Sequence, residues 1–153
     1  MGAASSRIIF NTGAVPGHEI TGRCGSGRAR GCGRRGGLLH ERPLCAAAHR
    51  PERVKATASF YGVRLITDKP NSPHLLAKGS PAEFYIACAE TDHWVTLDMV
   101  ERLQQELAGS HGEVELYSGV EHGFAFPQRA VYDKTAAEQH WERVLTLFRR
   151  RLC

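Results

Sequence analysis

From residue 46 onward the apolar positions fall into segments of two distinct periods. Val54–Tyr61 (VKATASFY) predicts a strand, closed by Gly62. Glu83–Ala89 (EFYIACA) is a nearly continuous apolar run, rich in aromatic and β-branched residues, which predicts a strand buried on both faces as in a parallel sheet. Glu113–Ser118 alternates, with Val114 and Leu116 on one face, as an edge strand would. Between the last two strands Leu97, Val100, Leu103 and Leu107 recur at helical spacing behind the cap candidate Thr96, so a helix is expected from Thr96 to Ala108, stopped by Gly109 and Gly112. A second amphipathic helix is expected from Ala136 to Leu152, with Ala137, Trp141, Val144, Phe148 and Leu152 on one face. Arg149–Arg151 lie at its C-terminal end, where the helix dipole favours cations. Ala46–Arg50 reads as the last turns of a helix ended before Pro51, and residues 63–81, with Pro70, Pro73 and Pro81, read as a loop.

Strands alternating with helical crossovers predict an α/β doubly wound sheet. About three strands, mainly parallel and with flanking helices, are visible. Buried parallel strands belong to larger sheets, so residues 46–153 are expected to be the C-terminal part of a bigger domain.

Charge divides the chain. Residues 1–45 hold seven Arg, no Lys and two acids, Glu19 and Glu41, together with ten of the 16 glycines. The remainder holds 13 basic and 14 acidic residues, so the net charge of +4 belongs to the N-terminal third. That third is expected to be largely disordered. No run approaches the roughly 18 apolar residues of a membrane span, and Ile8, Ile9 and Phe10 are too few for a secretory segment. Met1–Ser6 matches the permissive N-myristoylation pattern. Five cysteines without a CxxC pair argue against a disulfide framework or a zinc knuckle, and a cytoplasmic location with no membrane partner is the expectation.

Two segments lie where such folds carry function, just past the C-terminal ends of strands. They are Ala89-Glu90-Thr91-Asp92-His93 and Glu121-His122-Gly123-Phe124. The bland reading of each is strong: an Asp after a strand is usually a cap, and this chain has eight histidines. Their order and placement favour chemistry instead. An acid on one strand end followed by a histidine on the next is the order of the last two members of an α/β-hydrolase triad. The acid fixes the imidazole tautomer and the imidazole takes the nucleophile's proton.

From Ala46 to Leu152 the chain resembles the C-terminal half of the dienelactone hydrolase family, α/β-hydrolases that open lactone and ester bonds. The resemblance rests on AAAHRPERVKATASFYG, EFYIACAETDHW, VELYSGVEHGFAFP and AAEQHWERVLTLFRRRL, in the family's order. It implies a partial α/β-hydrolase fold, with Asp92 as triad acid and His122 as triad base. It also implies a small-molecule ester or lactone substrate and no metal or organic cofactor. His93 has no role in the family pattern, and Phe126 stands where some members carry a substrate-binding Arg. Substrate identity and oligomeric state are not legible.

The family's nucleophile is a cysteine in an elbow such as Gly-Tyr-Cys-Met-Ser-Gly, due just before Ala46. Residues 37–45 read GLLHERPLC instead. Cys45 lacks the flanking glycines, Cys88 lies within a strand, and Cys24, Cys32, Cys153 and Ser26 have no strand-to-helix context. The Arg, Gly, Ala and Cys bias of residues 1–45 is that of GC-rich DNA read out of frame. Were Gly37–Arg42 encoded GGG CTA CTG CAT GAG CGG, reading from the second base would give Gly-Tyr-Cys-Met-Ser-Gly. As written, the chain is expected to hold acid and base without a nucleophile and to be inactive. The rival reading is a non-catalytic binding protein whose TGRCGSGRARGCGRRGG arm contacts nucleic-acid phosphates. That arm has no interleaved aromatics and no phosphate-loop pattern, which argues against a nucleic-acid partner. A third reading, an inactive relative kept for structure, predicts a stably folded chain, whereas open sheet edges predict a marginal, aggregation-prone one.

Overall fold

A computed structural model of the chain describes residues 7–12 and 54–152. The elements in chain order are β1 (Arg7–Thr12), β2 (Val54–Phe60), α1 (Pro73–Lys78), β3 (Glu83–Thr91), α2 (Leu97–Glu106), β4 (Gly112–Glu121) and α3 (Lys134–Leu152). The strands lie side by side in sequence order, each pair parallel. The α/β class read from the sequence, parallel strands with flanking helices, is what forms.

Strand alternation divides the core into two layers. Tyr85, Ala87 and Ala89 of β3 join Ala56, Ala58 and Phe60 of β2 beneath Ala137, Val144 and Phe148 of α3. Phe84, Ile86 and Cys88 face the other way, against Val100 and Leu103 of α2. A strand with helices on both faces has no solvent side, which is why EFYIACA reads as an unbroken apolar run. β4 is an edge strand and keeps Glu113 exposed.

Four elements differ from expectation. Arg7–Thr12, in the segment expected to be largely disordered, pairs with β2 from Arg7 opposite Val54 to Thr12 opposite Phe60. Within residues 63–81, α1 forms because Pro73 occupies its first turn, where a missing N–H costs nothing. Ser72 precedes α1 without capping it; its Oγ accepts the Thr67 N–H at 2.8 Å and meets His74 Nδ1 at 2.8 Å. α3 begins at Lys134, before the expected Ala136, because Asp133 Oδ1 accepts the Ala136 N–H at 2.8 Å and so caps the helix. α2 buries Val100 and Leu103, with Leu107 just beyond its end, but leaves Leu97 exposed. The expected helix Ala46–Arg50, the division at residues 45 and 46, the elbow position and the Arg/Gly arm lie outside the described residues, as does the Leu152 side chain.

Candidate active site

The last ladder pair between β3 and β4 joins Thr91 to Glu121. The next residues along the two chains are Asp92 and His122, so the parallel register delivers an acid and a base side by side at the carboxyl ends of the strands. The His122 N–H extends the ladder by donating to the Thr91 carbonyl at 3.1 Å.

His122 Nδ1 lies 2.6 Å from Asp92 Oδ2. The other carboxylate oxygen, Oδ1, accepts the backbone N–H groups of Trp94 at 2.8 Å and Val95 at 3.3 Å. The Asp92 side chain is 1% exposed and that of His122 11%. Burial pushes the Asp92 carboxyl upward. The His122 bond and the two backbone donors together outweigh it and hold the group below its ordinary range. An ionised carboxylate only accepts, so the shared proton belongs to Nδ1 of His122 and Nε2 takes no part in this bond.

The loop behind the base is fixed from three directions. Gly123 has φ +105°, and a Cβ there would sit 2.7 Å from Arg129 Cδ and Nη1. The positive φ is what favours glycine, since the flexible Arg129 side chain could move aside for a Cβ. Phe124 is fully buried, and its carbonyl accepts the Asp133 N–H, tying the loop to the start of α3. The Ala125 N–H donates to the hydroxyl of Tyr61, whose ring centroid is 5.0 Å from that of His122. Tyr61 has φ +53°, an uncommon conformation for a bulky residue, and burial raises its phenol pKa so that it stays protonated. Sequence reasoning passed over Tyr61; the available signal was an aromatic residue at a strand's carboxyl end, directly before Gly62.

His93 is exposed, its ring 4.5 Å from that of the 57% exposed Trp94. Glu121 is exposed, and Phe126 packs partly buried 5.5 Å from Tyr61. Cys88 is buried in β3 with its thiol pushed up to about 12 by burial, which removes the thiolate a nucleophile needs. The other cysteines and Ser26 fall outside the described residues. Among the described residues no three His, Cys, Asp or Glu side chains gather to hold a metal ion. A broad groove lies elsewhere, lined by Glu83, His111, Arg143 and Arg150, where Glu83 pairs with Arg150 and Arg151. It includes neither Asp92 nor His122.

Comparison with known proteins identifies the family. Residues 42–152 match the family model described as the dienelactone hydrolase family. The chain belongs to the dienelactone hydrolase family. It is 31% identical over 104 residues to a protein of Synechocystis provisionally assigned as a carboxymethylenebutenolidase, covering 65% of this chain and 42% of that one. An Escherichia coli protein with the same assignment is 30% identical over 109 residues, covering 67% of this chain and 40% of that one. A crystal structure from Klebsiella pneumoniae, provisionally assigned as a dienelactone hydrolase, superposes with a TM-score of 0.61 at 29% identity, covering 69% of this chain and 46% of that one. A protein of Bacteroides ovatus provisionally assigned as a dipeptidyl aminopeptidase IV shares the fold alone, with a TM-score of 0.55 at 12% identity over 74% of this chain and 18% of that one. The chain thus spans less than half the length of the dienelactone hydrolase relatives named here.

Proposed function

We propose that this chain carries the acid and the base of a Cys-Asp-His site that hydrolyses ester or lactone bonds, with Asp92 as the acid and His122 as the base. The observation that carries the reading is the 2.6 Å bond from His122 Nδ1 to Asp92 at the ends of adjacent parallel strands. With Nδ1 committed to Asp92, Nε2 takes the proton of a cysteine thiol as the thiolate attacks the ester carbonyl. Asp92 stabilises the imidazolium so formed. Backbone N–H groups beside the nucleophile hold the oxyanion, and the leaving alcohol departs with the proton from Nε2. Water then adds to the acyl-enzyme, with His122 acting as base again and the thiol restored.

The nucleophile is the part that the written sequence lacks. Residues 37–42 stand where the elbow is due, and we propose that it is encoded there one base out of frame. As written, the chain turns over no substrate. Coding DNA that yields Gly-Tyr-Cys-Met-Ser-Gly one base along through Gly37–Arg42 supports this, and DNA that does not yield it ends the frame hypothesis. Expression with the shifted frame read through residues 37–42 and the present frame regained near Cys45 tests the chemistry. That product should release p-nitrophenol from p-nitrophenyl acetate, whereas the written chain should not. A restored, folded product without esterase activity contradicts the proposal.

A further inference from the structure

The Asp92–His122 contact depends on an irregularity in β4. Regular pairing runs from Phe84 opposite Gly112 to Ala89 opposite Tyr117. The next pair is Thr91 opposite Glu121, so β3 spends one intervening residue, Glu90, while β4 spends three, Ser118, Gly119 and Val120. β4 therefore holds two extra residues at this point. Tyr117 and Val120 are both buried in the same core layer, and the exposed Ser118 and Gly119 loop out between them. Without the two extra residues, Thr91 would face Gly119 and Asp92 would lie beside Val120. The bulge is what moves His122 into reach of the acid.

Such a bulge breaks the ladder and leaves backbone donors to be satisfied. Gly119 makes the turn with φ +74°, a conformation that side-chain-bearing residues rarely adopt. Its N–H is taken by the side chain of the single β3 residue opposite, Glu90, whose Oε2 accepts it at 2.6 Å. The carboxylate replaces the main-chain acceptor that a regular ladder would supply, and the bond is charge-assisted. Glu90 is exposed and touches neither Asp92 nor His122 in any hydrogen bond of the structure.

We infer that Glu90 is a positioning residue: by clamping Gly119 it holds the β4 bulge that sets His122 in register with Asp92. Its importance to hydrolysis rests on the function proposed above; its effect on the contact does not. The test is therefore made on the full written chain, without turnover, by NMR of 15N-labelled histidine. The readouts are the tautomer of His122 and the exchange rate of its Nδ1 proton. Glu90→Ala should speed exchange of that proton and of the Gly119 amide by about tenfold or more, the factor for losing one bond to a charged acceptor. Glu90→Gln keeps an acceptor oxygen and should restore most of the protection. Deleting Ser118 and Gly119 regularises the ladder and should abolish the His122 signature while the sheet still forms. Gln104→Ala is the control. It removes another exposed side-chain bond to the β4 backbone, at Val114, and should leave His122 unchanged.

The inference is overturned if Glu90→Ala leaves the His122 proton as protected as in the parent chain. It is also overturned if Gln104→Ala exposes that proton equally, or if the deletion variant keeps it. A parent chain whose His122 carries its proton on Nε2 overturns the clamp and the proposed base together. If the clamp behaves as expected but the frame-restored enzyme is inactive, only the functional proposal fails.

Discussion

Two histidines of this chain lie two aromatic rings apart, and their surroundings differ in nearly every respect. His122 lies tilted against Tyr61, Tyr61 meets Phe124 edge to face, and Phe124 meets His140 edge to face. At the strand ends, His122 has a carboxylate 2.6 Å from Nδ1 and a glycine-dependent loop behind it. Within α3, His140 is 1% exposed, and among the described residues neither ring nitrogen has a hydrogen-bond partner. Its neighbours are rings: Phe60 at 4.0 Å, Tyr85 at 5.7 Å, Tyr117 at 5.9 Å and Phe124 at 6.0 Å. Burial holds its pKa at about 3, so it is a neutral space-filler. A buried carboxylate partner, more than burial itself, separates the proposed base from a packed ring.

Exchanging the two side chains' roles should therefore fail in opposite ways. In the frame-restored enzyme, His122→Gln should lower kcat/KM on the order of 10⁴- to 10⁶-fold, the loss expected when the base of such a triad is removed. Steady-state esterase assays measure it. His140→Leu should leave kcat/KM within about threefold, and a large loss there would give the buried histidine a part in the chemistry. Asp92→Asn should approach the His122 defect, because an amide no longer forces the proton onto Nδ1, and the His122 tautomer read by 15N NMR should change with it.

Stability reverses the ranking. His140 buries two unpartnered nitrogens, so His140→Leu should stabilise the chain by about 1–3 kcal/mol at neutral pH, read by urea denaturation. The pH profile supplies the sign. The unfolded chain binds a proton at this site near 6.5, but the folded chain only near 3, so the unfolded state gains protons first on acidification. Stability is complete above about pH 6.5 and falls by up to roughly 1.4 kcal/mol per pH unit toward pH 3, and His140→Leu should flatten that slope. Asp92 also loses its stabilising contribution in acid, but only as pH falls through the carboxylate range, because its folded pKa is lowered. A variant still as steep between pH 6.5 and 5 would exclude His140 as the source.

A stability effect of similar size but opposite sign lies between the two histidines. Tyr61→Phe leaves the buried Ala125 N–H without its acceptor, a cost of about 1–3 kcal/mol. Because that bond anchors the His122 loop rather than the His140 cage, hydrogen exchange should quicken at Ala125 before it does in α3.

Three of the four strands and the pairing of Asp92 with His122 were legible because they follow from short-range pattern, whereas β1 was not. β3 reads as buried on both faces, and a strand end followed by Asp or His is visible without any knowledge of partners. What escaped depends on distant pairing or on residue type. Tyr61 acquires its role from a contact 64 residues along the chain. Glu90 matters only because β4 bulges opposite it, and no periodicity announces a two-residue bulge. His140 shares the helical face of Ala136, Val144 and Leu147, but its polar type kept it off the apolar face expected for the helix. α1 was masked by Pro73, which reads as a breaker until it is seen in the first helical turn.

The central claim is that Asp92 and His122 serve a cysteine encoded one base out of frame. Its most direct measurement is the time course of p-nitrophenol release by the frame-restored chain, with and without His122→Gln. A burst followed by steady turnover, both lost in the variant, is the predicted result. An inactive restored enzyme, or turnover indifferent to His122, would contradict it.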